Sequence, residues 1–217
     1  NIGSDINTEN DESNIGILID GQTAYASVYD QLANNYDVSL FPIPENVSAE
    51  SVGLVKGRVI VEDGNDKGCD IKLYAKKAKT SVTYSSNVYD GEFVLSLVEK
   101  ERYLMKIEKE GYEFCASFID VNDTVENLNF SISQLIGGES YYLPNIVFDE
   151  SNSLTDESLE ILNEFILYLK SSRFRIEIFA PGNQAETIAE YIIKSGVRKD
   201  RIAVSKQSSE KVGYRLQ

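Results

Sequence analysis

Acid/base chemistry on carboxylates needs two groups that converge on one substrate, and the chain offers Asp149 next to Glu150. Neighbours at one strand end point apart, so this pair does not form an acid/base couple. A second acidic group, Asp5, Glu9, Asp11 and Glu12, has the oxygen ligands that calcium takes. It lacks the ordered alternation and the glycine of a calcium loop, and reads as solvated acidic surface. Nucleophilic and zinc chemistry have little to draw on, because the chain has no His; that removes Ser-His-Asp triads and His-containing zinc sites. Of the two cysteines, Cys69 shares strand parity with Ile71 and Leu73 and points inward, while Cys115 follows Gly111-Tyr112. A disulfide and a pair of reduced thiols are both compatible with that placement. The basic run Lys72, Lys76, Lys77 and Lys79 reads as a solvated strand edge that discourages aggregation, in preference to a site for an acidic partner. The expectation is a chain without enzymatic activity and without a cofactor.

The charge balance narrows the partners. There are 35 Asp and Glu against 21 Lys and Arg in 217 residues, a formal charge of −14. Such a chain has no electrostatic footprint for duplex DNA or structured RNA. Its apolar runs fall short of the roughly 20 residues that a membrane helix needs, so neither nucleic acid nor a membrane span is expected. Asn1 to Asp20 lacks the basic start and apolar core of a signal peptide. Residues 1–50 hold nine acidic residues and no Lys or Arg, residues 51–136 hold 14 acidic and 11 basic, and residues 137–217 hold 12 and 10. That step, with Phe41-Pro-Ile-Pro-Glu-Asn46 after it and Ile136-Gly-Gly138 further on, predicts three segments: 1–50, 51–136 and 137–217.

In the first segment, Ile15–Ile19, Thr23–Ser27 and Tyr36–Phe41 read as an antiparallel meander whose first turn is the dipeptide Asp20-Gly21. A lone sheet of this size is marginal in water and needs neighbours. The stretch from Asn7 through Asp20-Gly21 and Thr-Ala-Tyr25 to Tyr36-Asp37-Val38 resembles one blade of a TolB-like β-propeller.

From residue 54, period-2 runs alternate with turns: 54–61, 69–74, 81–84, 92–97, 103–107, 114–121 and 125–132. Seven strands in that length predict a β-sandwich, with turns at Gly64-Asn65, Asp90-Gly91 and Glu110-Gly111. Val55-Lys-Gly57-Arg-Val59, Gly68-Cys-Asp-Ile71, Asp90-Gly91-Glu-Phe93, Tyr103 and Gly111-Tyr112 resemble the carboxypeptidase regulatory-like family. The resemblance implies a seven-stranded transthyretin-like sandwich without catalysis, serving as a spacer or docking module.

The last segment mixes strands and helices. Tyr141–Phe148 reads as a strand, and Leu159, Leu162, Phe165, Ile166 and Leu169 recur at helical spacing behind Thr155 as N-cap. Phe174–Phe179 is a second strand. Ala185, Ile188, Ala189, Ile192 and Ile193 mark a second helix, stopped by Gly196. Ile202–Val204 and Val212–Leu216 complete a βαβαββ order, with both helices expected on one sheet face. Leu143-Pro-Asn-Ile-Val-Phe148-Asp149, Ser153–Leu159, Ile176–Ile178 and Ala189–Ile202 resemble the OmpA-like C-terminal domain, which binds peptidoglycan in the Gram-negative periplasm. That resemblance implies a ligand site with Phe148, Asp149 and Asn152 on one side and Asn183 and Gln184 on the other. The family follows its second strand with a Gly-His-Thr-Asp turn and, after a longer stretch, an Arg, and these charges hold the ends of the diaminopimelate side chain. Here the turn is Ala180-Pro-Gly-Asn183 and the stretch is almost wholly deleted, so Asn183 and Gln184 stand where the charges would be.

The order of a propeller blade, a regulatory-like sandwich and an OmpA-like domain resembles the C-terminal half of PorE-type envelope lipoproteins of Bacteroidetes, which accompany type IX secretion and gliding. The fold class expected is multidomain, all-β plus α+β. The function it implies is a non-catalytic cell-envelope adaptor on the periplasmic side of the outer membrane, with envelope proteins as partners. The alternative is a peptidoglycan-binding anchor.

Overall fold

A computed structural model of the chain describes residues 12–30, 33–44, 49–62, 66–122, 125–143, 145–207 and 209–217. The acidic positions Asp5, Glu9 and Asp11 and the Gly64-Asn65 turn lie outside the described residues. The rest is β-rich, with four small sheets and two α-helices. No helix among the described residues is long and apolar enough to cross a membrane. The chain separates into two compact units: Asn1–Lys56, Val94–Arg102 and Asp120–Leu128 in the first, and Gly57–Phe93, Tyr103–Ile119 and Asn129–Gln217 in the second.

The first unit holds β1 (Glu12–Ile17), β2 (Thr23–Asp30) and β3 (Asn35–Pro42), an antiparallel sheet in that order. The turn between β1 and β2 differs from the two-residue hairpin expected at Asp20-Gly21. It spans five residues and closes with Leu18 N–H on Thr23 O at 2.8 Å. The Asp20 carboxylate accepts from the N–H groups of Gln22 and Thr23 at 3.0 and 2.9 Å and from the Thr23 hydroxyl at 2.7 Å, which satisfies the turn locally. Gly21, at φ +67°, has no room for a side chain: a Cβ there would lie 2.3 Å from Ala49 O.

Seven strands follow: β4 (Val52–Val61), β5 (Asp70–Ala75), β6 (Thr80–Ser85), β7 (Glu92–Val98), β8 (Glu101–Glu108), β9 (Cys115–Val121) and β10 (Val125–Ile132). They form two sheets, in the orders β10-β4-β7 and β6-β5-β8-β9. Period-2 alternation decides which side chains are buried: Ile71, Leu73 and Ala75 on β5 are buried and Asp70, Lys72 and Tyr74 exposed. Lys72 is therefore not on a sheet edge, since β5 pairs with β6 on one side and β8 on the other. It pairs instead with Glu108, and Lys76 with Glu160.

The C-terminal part of the second unit contains β11 (Ser140–Tyr142), α1 (Asp156–Ser171), β12 (Ile176–Phe179), α2 (Gln184–Lys194), β13 (Ile202–Val204) and β14 (Gly213–Leu216). Its sheet runs β11-β14-β12-β13, with β12 and β13 parallel and the other pairs antiparallel. The strand expected over 141–148 stops at Tyr142. Beyond it the backbone is held by a helix side chain: buried Ser158 accepts from Val147 N–H at 2.7 Å and donates to Val147 O at 2.9 Å. Thr155 caps α1 through Ser158 N–H, and Asp156 and Glu157 lie in the first turn, where the helix dipole favours acids.

Gly137 and Gly138 fall inside this second unit, and packing continues past them. Leu104, Phe114 and Ala116 share one core with Phe165, Ile166 and Tyr214. Lys106 Nζ reaches Glu164 on α1 at 2.6 Å, and the Tyr168 hydroxyl donates to Tyr112 O at 3.1 Å.

Candidate functional site

The five residues to which the OmpA-like resemblance assigns a ligand role fall in two places, the loop before α1 and the start of α2. The loop is organised by Asp149. Its carboxylate accepts from Ser151 N–H at 2.9 Å, the Ser151 hydroxyl at 2.7 Å and Ser153 N–H at 2.9 Å, while its own N–H donates to Ser153 O at 2.8 Å. The Ser151 hydroxyl bond, then the Ser153 backbone bond, hold this carboxyl below its ordinary value. Asp149 is thus a loop-former, with all three of these bonds falling on its Oδ1. Asn152 adopts φ +60°, a left-handed conformation that Asn tolerates better than most residues.

That conformation lets Asn152 reach α2. Its Nδ2 donates to Asn183 Oδ1 at 2.9 Å, and Gln184 Nε2 donates to Asn152 Oδ1 at 3.2 Å. The structure therefore brings Asn152, Asn183 and Gln184 together as a chain of side-chain amides at the surface. Asn183 occupies the N-cap position of α2, but its side chain makes no capping bond. The carbonyl oxygen that could cap the helix is engaged by Asn152. Phe148 does not join them: it is half-buried against the C-terminal core and forms a bridge with Leu154.

Chemically, the three amides can donate and accept neutral hydrogen bonds, and none carries a charge. The acid in the first turn of α2 is Glu186, which offsets the partial positive charge of the helix start. A dicarboxylate or zwitterionic ligand would find no ionic partner among these three side chains.

The cysteines are both free thiols. Burial raises the Cys69 thiol above its ordinary value and pushes Cys115 up to about 12, so neither is a nucleophile near neutral pH. Two features escaped the sequence reading. One is the pair of ion contacts that Glu160 and Glu164 make from α1 to Lys76 and Lys106; the spacing of four was visible, the partners were not. The other is a cleft of about 930 Å³ bordered by Lys109, Glu108, Tyr112, Tyr168 and Phe174. Part of its charged rim is internally paired: Lys109 binds Gly68 O at 2.8 Å and Asp66 at 3.2 Å, and Glu108 pairs with Lys72 and Lys106.

No family profile matches the chain, and no curated protein matches it. Among solved structures, one similar chain is a leucine-rich repeat protein from Bacteroides thetaiotaomicron, at 9% identity and a TM-score of 0.23. The match covers 65% of this chain and 25% of that one, so the chain spans about a quarter of the length of that neighbour. A likeness of that degree carries no argument about fold or function.

Proposed function

We propose that the chain is a non-catalytic adaptor of the cell envelope, on the periplasmic side of the outer membrane, whose OmpA-like segment binds a protein in place of peptidoglycan. The observation that carries this reading is the amide chain Asn152–Asn183–Gln184. At the positions where the resemblance expects an Asp and an Arg for the two ends of diaminopimelate, the side chains are neutral and bonded to one another. A hydrogen bond to a charged group contributes about 1.5–3 kcal/mol, so loss of two weakens wall binding by roughly a hundredfold or more.

The scaffold role is supported by the second unit, in which strand residues 103–119 and the C-terminal α+β part share one core and two ion pairs to α1. A joint of that kind transmits position without chemistry. The composite resemblance to PorE-type lipoproteins points to a secretion or gliding complex as the setting.

The reading is tested with a soluble diaminopimelate-containing muropeptide and isothermal titration. The wild-type chain is expected to give no heat of binding at millimolar ligand, and an Asn183→Asp, Gln184→Arg double variant to gain measurable affinity. Saturable binding by the wild-type chain would restore the anchor reading.

A further inference from the structure

The cleft of about 930 Å³ lies wholly within the second unit, bordered by the β6-β5-β8-β9 sheet and the C-terminal half of α1. Strand register sets its floor. Ser85, Asp70 and Glu108 stand side by side across β6, β5 and β8, and Thr83, Lys72 and Lys106 form the next row on the same face. Like charges directly opposite each other disfavour a sheet, so each row calls for counterions. The basic row has them: Lys72 and Lys106 meet at Glu108, and Lys106 also reaches Glu164 on α1. The acidic row is only half served. Beside Glu108, the exposed Asp70 carboxylate makes no ion pair or side-chain hydrogen bond among the described residues. Glu110, exposed on the same rim, makes none either.

The facing wall is apolar. Glu160, Glu164, Leu167 and Ser171 follow one another at helical spacing along one stripe of α1. The first two meet Lys76 and Lys106, whereas Leu167 and Ser171 border the cleft, with Leu167 54% exposed. Tyr168 and Phe174 extend this wall, their ring centroids 6.3 Å apart. The cleft already holds one basic side chain of its own in this manner: Lys109 lies over the Tyr112 ring at 5.7 Å and ends on Gly68 O and Asp66. Asp70 and Glu110 offer the same combination of carboxylate and apolar wall, and no basic side chain among the described residues is paired to them. An anion would find the lysines of the cleft engaged by carboxylates. A metal ion needs several converging ligands, and the described residues hold no group of three acids or thiols that could supply them.

We propose that this cleft binds a guanidinium carried on an apolar stem, the chemistry of an arginine flanked by apolar residues, with the cation on Asp70 and Glu110 and the stem against Leu167 and Phe174. A planar, weakly hydrated guanidinium suits both the carboxylates and the aromatic wall better than an ammonium does. This assignment concerns a different surface from the amide chain at α2 and stands or falls without it.

The test uses the whole chain and follows its backbone amides by two-dimensional NMR. The probe is acetyl-Leu-Arg-Leu-amide; its counterpart carries citrulline, which keeps the shape of arginine without the charge. The Arg peptide is expected to shift the amides of Asp70, Gly111 and Leu167 saturably, and the citrulline peptide to bind about tenfold or more weakly. The Asp70→Asn, Glu110→Gln double variant changes exposed carboxylates only and relieves the repulsion between Asp70 and Glu108. It should keep or raise the thermal midpoint and lose about tenfold or more of the affinity for the Arg peptide. Leu167→Ser should weaken both peptides, and Glu186→Gln, an exposed acid on α2 outside the cleft, should leave binding unchanged. Agmatine, a free guanidinium on a butyl stem, separates the sources: affinity equal to that of the Arg peptide assigns the site to a small guanidine, and weaker affinity assigns it to a protein segment. The proposal is overturned by absence of a saturable shift at the cleft, by equal binding of the citrulline peptide, or by an affinity that the double variant leaves intact.

Discussion

Phe114 and Phe165 lie with ring centroids 5.2 Å apart, and through this contact the segment leading into β9 is tied to the centre of α1. Phe165 is fully buried and also meets Tyr214 at 5.0 Å and Tyr168 at 6.0 Å, so one ring joins a β-strand layer, a helix and the C-terminal sheet. The expected result of Phe165→Ala is a loss of about 3–5 kcal/mol in urea unfolding, with tertiary signals from both sides of residue 136 lost together. Independent unfolding of residues 137–217 would contradict the shared core.

Ser158 is a second joint of this kind, on a smaller scale. Its hydroxyl satisfies both the N–H and the carbonyl of Val147, and its removal leaves two backbone groups without that partner. Ser158→Ala should cost about 1–3 kcal/mol and speed hydrogen exchange at Val147 while leaving exchange within β12 unchanged. An unaltered Val147 exchange rate would show that the hydroxyl does not hold the loop.

Glu113 gives a pH dependence with a definite sign. Burial, aided by the charge of Glu62 and opposed by hydrogen bonds from Ser133, raises its carboxyl above the ordinary value of 4.5. For an acid with a raised folded-state value, the favourable contribution is present while the group is protonated and is lost as pH rises through that folded value. Glu113→Gln can keep the acceptor for Ser133 N–H and removes the charge. It should therefore raise the unfolding midpoint at neutral pH, with the difference shrinking toward the acid side of the ordinary carboxylate range. A difference that grows on acidification would reverse the sign and refute the assignment.

The thiols offer a chemical check. With Cys69 buried and Cys115 pushed up to about 12, neither should react with iodoacetamide in the folded chain at mildly alkaline pH, and both should react after denaturation without reductant. Alkylation that requires a reductant would mean a disulfide.

The parts of this fold that follow from local periodicity were open to reading from the sequence. Leu162, Phe165, Ile166 and Leu169 line the buried stripe of α1, and Ile71 and Leu73 point inward on β5, because period 3.6 and period 2 carry that information. The strand expected through Phe148 was shortened by an interaction eleven residues away, the hydroxyl of Ser158. Lys72 looked like an edge residue because sequence order does not tell which strands flank β5. The site behaved in the same way. That residues 183 and 184 are neutral amides was visible in the sequence, whereas the amide contacts with Asn152 depend on a left-handed backbone at 152 and on the approach of two loops 31 residues apart. Hydrogen bonding across such separations has no periodic trace in a chain.

The central claim, that the neutral amide chain does not hold the cell wall, is tested most directly by co-sedimentation of the whole chain with purified Gram-negative peptidoglycan sacculi, beside a control OmpA-like domain. The account predicts that the control pellets with the sacculi and this chain stays in the supernatant at all salt concentrations tested. Saturable pelleting of the wild-type chain, competed by diaminopimelate-containing muropeptide, would contradict it and make the chain a wall anchor.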